Sequence, residues 1–221
     1  MTEPGVEQGR RSDFCTGLIK LVLDPQFAAF AQQANRPNLF GIVGRTYTET
    51  WHSMLLGWLL DPSGTHGLGS FALRRLLLAI AIDEGTFAPS GGRSLARTVA
   101  VFGEFERVQV LPNERDRREL KIPLSPGKTG RLDVFVSGIT LKRENREAVI
   151  LIEQKVFAAP DTGQCRDYHA WLDREHAGKF HIPILLAPAP DPGTRLVEDE
   201  RWFEPTTRDS TTRCWSLCSN T

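Results

Sequence analysis

The chain has 221 residues, 40% hydrophobic and 24% charged, the proportions of a soluble globular protein rather than a disordered or fibrous one. Lys+Arg and Asp+Glu balance at 27 each, so overall charge recruits no nucleic acid, although a neutral protein can still carry a local basic groove. Four scattered cysteines (Cys15, Cys165, Cys214, Cys218) make no disulfide framework, and there is neither a signal-peptide core nor an apolar run near the ~20 residues of a membrane span. The expectation is one good-sized domain in the cytoplasm.

Residues 1–13 are polar. From Phe14 to Ala34, apolar residues at helical spacing (Leu18, Ile19, Val22, Leu23, then Phe27, Phe30, Ala31) are interrupted at Asp24-Pro25 and predict two short helices. A longer helix is predicted from Thr48 to Leu60, capped by Thr46 or Thr48, with Leu55, Leu56, Leu59 and Leu60 on its apolar side. Glu49 falls in its first turn, where a carboxylate favours the helix dipole; spacing to Ser53 and Leu56 also lets it look inward. Asp61–Gly69 is a turn-rich loop in which His66 packs or ligates. Ser70 is the predicted cap of an apolar helix over Phe71–Ile82, with Arg74 and Arg75 on its polar side, and Gly85–Arg93 follows as an exposed loop.

From Thr98 the pattern changes. Val99, Val101, Phe105, Val108 and Val110 predict a strand or bent strand pair carrying Glu104 and Glu106. Asn113–Leu120 reads as a solvated, charged hairpin or loop. Gly130–Val136 is a predicted strand with Leu132, Val134 and Val136 on one face and Arg131, Asp133 and Phe135 on the other. The turn Lys142–Glu147 leads into a second strand, Val149–Lys155, whose Glu153 and Lys155 share the face of Val149 and Leu151. The loop is short enough for an antiparallel hairpin, and strands about 4.8 Å apart would set Asp133 beside Glu153. A helix over Gly163–Glu175 carries Gln164 and Tyr168 one turn apart, and the buried strand Phe180–Ala187 then completes a parallel crossover. Residues 191–221 read as a polar C-terminal tail, truncated or without fixed structure. Cys214 and Cys218, with no histidine nearby, make a poor zinc half-site.

A carboxylate and an ammonium closing an apolar strand are costly without partners. Glu153 and Lys155 therefore form either a salt bridge at a strand end or part of a site. Together, Gly130-x-x-Asp133, Glu153-x-Lys155 and Gln164-x-x-x-Tyr168, on strand, strand and helix in that order, resemble the PD-(D/E)xK nuclease superfamily, the Q-x-x-x-Y recurring in its RecB-like branch. The stretches NRPNLFGIVG and ETWHSMLLGWLLDPSGTHGLG are similar to the helical lead-in of a bacterial family of that group, and the resemblance runs from Asn35 to Ala187. A G-x-L-D stands where the name-giving P-D would be.

The resemblance implies an α/β, restriction-endonuclease-like core, a mixed sheet flanked by helices. Residues 1–45 would be a helical lead-in, 46–190 the core and 191–221 the tail. It implies a Mg²⁺-dependent nuclease (Mn²⁺ an alternative ion) acting on nucleic acid, DNA first, in defence or repair by analogy alone, with no membrane partner and a homodimer compatible with it. Asp133 and Glu153 would hold the metal with the backbone carbonyl of Gln154, and Glu49 would complete the shell. Lys155 would orient or deprotonate the attacking water. Gln164 and Tyr168 would position the site or the substrate, although Tyr168 also suits a simple core aromatic. Two other readings stay open: a non-catalytic nucleic-acid-binding or protein-interaction module on the same fold, and an α/β enzyme of small molecules. The second lacks a glycine-rich phosphate loop or nucleophile elbow.

Overall fold

The computed structural model describes residues 49–113, 115–116, 119–155, 160–161, 163–187 and 195–205. The helices expected over 14–34, the caps Thr46 and Thr48, and Cys214 and Cys218 lie outside the described residues. In chain order the elements are α1 (Glu49–Leu60), α2 (Phe71–Ile82), α3 (Gly92–Phe102), β1 (Gln109–Leu111), β2 (Leu120–Ser125), β3 (Lys128–Leu132), β4 (Val134–Leu141), β5 (Arg146–Gln154), α4 (Gln164–Glu175) and β6 (Phe180–Leu186).

β5 sets the architecture. Its residues from Ala148 to Glu153 are all buried, so neither face of this strand meets water and both must be covered. It pairs antiparallel with β4 and parallel with β6, inside a four-stranded mixed sheet of order β1-β4-β5-β6. The parallel partner is reached through α4, because a parallel connection needs a crossover that a tight turn cannot supply. One face packs Ala148, Ile150 and Ile152 with Leu73, Leu77 and Ile80 of α2 and Val99 of α3. The opposite face packs Val149 and Leu151 with Tyr168, Trp171 and Leu172 of α4, together with Ile122 from the β2–β3 hairpin. The expected mixed sheet between helices is the fold observed.

Three sequence expectations change. Residues 92–102 form a helix, not the strand expected from Val99 and Val101. Gly92, Ala96, Val99 and Ala100 are buried at helical spacing, whereas Val101 and Phe102 are about half exposed; the local alternation of valines is incidental. The single strand expected over 130–136 is two, divided at Asp133. Before it, Leu132 pairs with Leu120 in the hairpin; after it, Val134 pairs with Ile152 in the sheet. Leu132 and Val134 consequently pack on opposite faces instead of sharing one. Ser70, finally, makes no side-chain cap; its hydroxyl accepts from Arg74 Nε at 3.1 Å, while the same guanidinium reaches the carbonyls of Ala100, Val101 and Gly103 at the C-terminal end of α3.

Nor does ordered packing end at residue 190, where the polar tail was expected to begin. Trp202 and Phe203 have no exposed surface. Phe203 donates its N–H to Pro183 O and accepts from Leu185 N–H, each at 2.8 Å, so one extended residue lies parallel to β6 as a sheet edge. Trp202 turns to the α4 face, where its indole donates to Cys165 O at 3.1 Å, and Phe203 turns to the other. Buried Glu204 accepts from Leu196 N–H at 2.6 Å and Val197 N–H at 3.3 Å, closing the segment upon itself.

Candidate active site

The break at Asp133 explains the site's first member. Asp133 is the one residue between β3 and β4, where the chain leaves the hairpin and enters the sheet. Freed from the ladder, its carboxylate turns to the end of β5, and Oδ2 accepts the Gln154 N–H at 2.7 Å. Glu153, on the α4 face of β5 as its alternation requires, is 1% exposed. Its Oε1 accepts from Lys155 Nζ and from Gln164 Nε2, both at 2.8 Å. Lys155 sits just past β5, where its own N–H bonds to Leu186 O at 2.8 Å and carries the parallel ladder one residue further.

Helix α4 supplies the second half. Its first residue, Gln164, also donates to Tyr168 Oη at 3.0 Å, and Tyr168 donates to Arg131 O at 2.7 Å. The Q-x-x-x-Y spacing is one helical turn, which stacks the two side chains on the helix face turned to the sheet. A relay of bonds thus ties the hairpin backbone to Glu153 through Tyr168 and Gln164. Gly130 has a steric role here, since a Cβ at that position would lie 2.7 Å from Tyr168 Cε1 and 3.0 Å from Leu124 Cδ1. Only glycine lets the ring approach close enough to bond the carbonyl of the next residue.

Two carboxylates and one ammonium share this dry corner, and their protonation follows. Burial pushes the Glu153 carboxyl up to about 8; the charge of Asp133 adds to this, while Lys155 and Gln164 offset part. Burial raises Asp133 to about 6, against the Gln154 N–H and Lys155. Burial alone would lower Lys155, yet the bond and charge of Glu153, with smaller contributions from Glu49 and Asp133, leave it raised. One cation balances one carboxylate, so the pair keeps a shared proton near neutrality.

The sequence-predicted residues are therefore brought together: Asp133, Glu153, Lys155, Gln164 and Tyr168 through bonds, and Gln154 through its N–H. Glu49, half-buried in the first turn of α1, is near enough for its charge to act on both Asp133 and Lys155. Sequence reasoning missed two participants. Glu119 acts on Asp133 by its charge, and nothing distinguished it within the run read as solvated. Arg131 contributes its carbonyl, which no side-chain motif reports. Cys165, the neighbour of Gln164 in α4, is buried, and burial pushes its thiol up to about 12, away from the thiolate. His66 keeps to its loop, accepting the Leu68 N–H at Nδ1 and facing Asp61 O with Nε2, each at 2.9 Å.

A mixed sheet covered by helices on both faces, with converging carboxylates and a lysine at the end of a central strand, defines a restriction-endonuclease-like hydrolase fold. A family model described as the PD-(D/E)XK nuclease superfamily matches residues 37–189. The chain belongs to this superfamily, whose members are in general nucleases of the phosphodiesterase kind and typically use divalent metals. No curated protein and no solved structure matches it. No helix among the described residues is long and apolar enough to cross a membrane.

Proposed function

We propose that the protein is a Mg²⁺-dependent deoxyribonuclease that hydrolyses phosphodiester bonds at Asp133, Glu153 and Lys155. The observation carrying this reading is the buried pair of carboxylates whose charges oppose one another. Such a pair is unfavourable for stability alone and suits a hard divalent cation. The fit is direct, since Glu153 Oε2 is buried with no hydrogen-bond partner among the described residues. Asp133 and Glu153 would hold the ion with the Gln154 carbonyl, and Glu49 would complete the set directly or through water. Mg²⁺ or Mn²⁺, when bound, supplies charge stabilisation at the phosphate and a more acidic water.

The chain's own residues do the rest. Lys155 enters as a cation, because its bond to Glu153 and the surrounding carboxylates outweigh burial, so its first role is to orient the attacking water and to stabilise charge on the phosphoryl oxygens. Gln164 fixes Glu153 Oε1 from the helix side, and Tyr168 fixes Gln164 from the hairpin side. These two position the carboxylate. A non-catalytic module retaining the fold is less well supported, because it has no use for an intact acid pair and lysine in a buried corner. A DNA substrate, a cytoplasmic location and a homodimer remain parts of the proposal.

The test is incubation of the purified protein with linear, circular and single-stranded DNA and with RNA, in chelator and in Mg²⁺ or Mn²⁺. Divalent-dependent cleavage of DNA supports the reading. Cleavage of RNA alone would move the substrate, and no cleavage of any substrate with either ion would leave the binding-module reading.

A further inference from the structure

We propose that His169, Asp173 and His181 form a second metal site, separate from the carboxylate corner, that takes a Zn²⁺-like ion and ties α4 to β6. One ligand atom from each of the three lies within 4.8 Å of the others. Asp173 Oδ1 is 3.7 Å from His169 Nε2 and 3.4 Å from His181 Nδ1. Two ligands of a tetrahedral zinc, each ~2.0–2.1 Å from the ion, stand roughly 3.3–3.4 Å apart, so the cluster is within a small side-chain movement of that geometry. His169 and Asp173 are one turn apart on one face of α4, the spacing by which a helix presents two ligands to one ion.

Two further observations separate this cluster from a solvated ion pair. His181 Nε2 lies 2.9 Å from His176 O, and a carbonyl can only accept, so Nε2 carries the hydrogen. In the neutral ring Nδ1 then presents a lone pair toward an oxygen of Asp173, two acceptors with no donor between them. A backbone carbonyl fixing one imidazole nitrogen while the other ligates is the usual outer shell of a metal-bound histidine. His169 is the second. Its side chain is 7% exposed, Nδ1 has no partner among the described residues, and Nε2 at 3.7 Å is beyond hydrogen-bond range of Asp173. A buried imidazole with Nδ1 unpartnered among the described residues, and Nε2 turned toward a carboxylate too distant to bond it, suits a metal ligand.

The charge balance allows a cation. Arg201 reaches Asp173 through the other oxygen, Oδ2, at 3.1 Å, and its second nitrogen is taken by Asp199 Oδ2 at 2.7 Å. Two carboxylates and one guanidinium leave one negative charge, with Oδ1 of Asp173 still directed at the histidines. Two imidazoles and one carboxylate select Zn²⁺ and its borderline neighbours over Mg²⁺, which prefers oxygen. Asp173 is half exposed, so a fourth position faces solvent. The register separates the two sites: His181 lies opposite Val149, whereas Glu153 lies opposite Leu185. Four residues of strand are about 13 Å.

The experiment uses the full chain carrying Asp133→Asn, which disables the carboxylate corner, stripped with chelator and titrated with Zn²⁺ by calorimetry and with Co²⁺ by absorption. The expected result is one equivalent of Zn²⁺, a Co²⁺ spectrum of tetrahedral intensity without a thiolate charge-transfer band, and a melting temperature raised by Zn²⁺ but not by Mg²⁺. Adding His181→Ala or Asp173→Asn should weaken Zn²⁺ binding by at least tenfold. Asp173 is half exposed, so its variant retains the fold, which a melting curve verifies. Absent binding, binding unchanged in both added variants, or a thiolate band marking cysteine ligands would each overturn the proposal.

Discussion

Replacing Glu153 with glutamine tests the electrostatics of the carboxylate corner without changing its shape. In the metal-free fold this carboxyl is raised from 4.5 to about 8. Between those values the native state keeps a proton that the unfolded chain has released. The associated stability is therefore complete below pH 4.5 and is lost as the pH rises through 8. At about 1.4 kcal/mol per unit, the upper bound is on the order of 5 kcal/mol. Asp133, raised to about 6, works in the same direction; shared titration and relaxation of the site reduce the observable effect to a few kcal/mol. Glu153→Gln removes the titration and leaves Gln164 an acceptor. Denaturant unfolding in chelator at pH 5 and pH 8 is the assay. The variant should gain on the wild type by a few kcal/mol across that interval, and Mg²⁺ at pH 8 should stabilise the wild type alone. Parallel stability curves for the two proteins would show that Glu153 does not carry this pH dependence.

Three other substitutions probe the scaffold. Gly130→Ala puts a methyl group against the Tyr168 ring and Leu124, and should cost about 1–3 kcal/mol in denaturant unfolding while lowering cleavage through displacement of Gln164. Tyr168→Phe removes the bond to the Arg131 carbonyl and should cost roughly 1–3 kcal/mol; an unchanged melting temperature would argue against the relay. Trp202→Ala empties a fully buried site on the α4 face and should cost about 3–5 kcal/mol, an effect that a free polar tail would not show.

The sequence was most legible where a local pattern and its tertiary setting agree. The β4–β5 hairpin, α4 and β6 follow from apolar runs, a short charged turn and one clean helical period, and they bring Glu153, Lys155, Gln164 and Tyr168 to one place. Residues 92–102 misled because Val99 and Val101 alternate as in a strand, while small alanines at 96 and 100 mark the buried helical face only weakly. The break at Asp133 was hidden because its neighbours are strand formers on both sides; only the competing partners of Leu132 and Val134 impose it. Residues 195–205 escaped because one residue paired with β6 leaves no periodicity, and the adjacent Trp202 and Phe203 were their sole signal. The histidine cluster was equally hidden, since His181 joins His169 and Asp173 only once β6 has folded beside α4.

The central claim is that a divalent ion at Asp133 and Glu153, with Lys155 beside it, cleaves nucleic acid. Its most direct test is Mg²⁺-dependent cleavage of DNA by Lys155→Met, measured against the wild type, with Mg²⁺ binding to both followed by calorimetry. The variant should still bind Mg²⁺, and its cleavage rate should fall by roughly 10²–10⁴-fold. Cleavage at the wild-type rate by a variant that still binds the ion would contradict it.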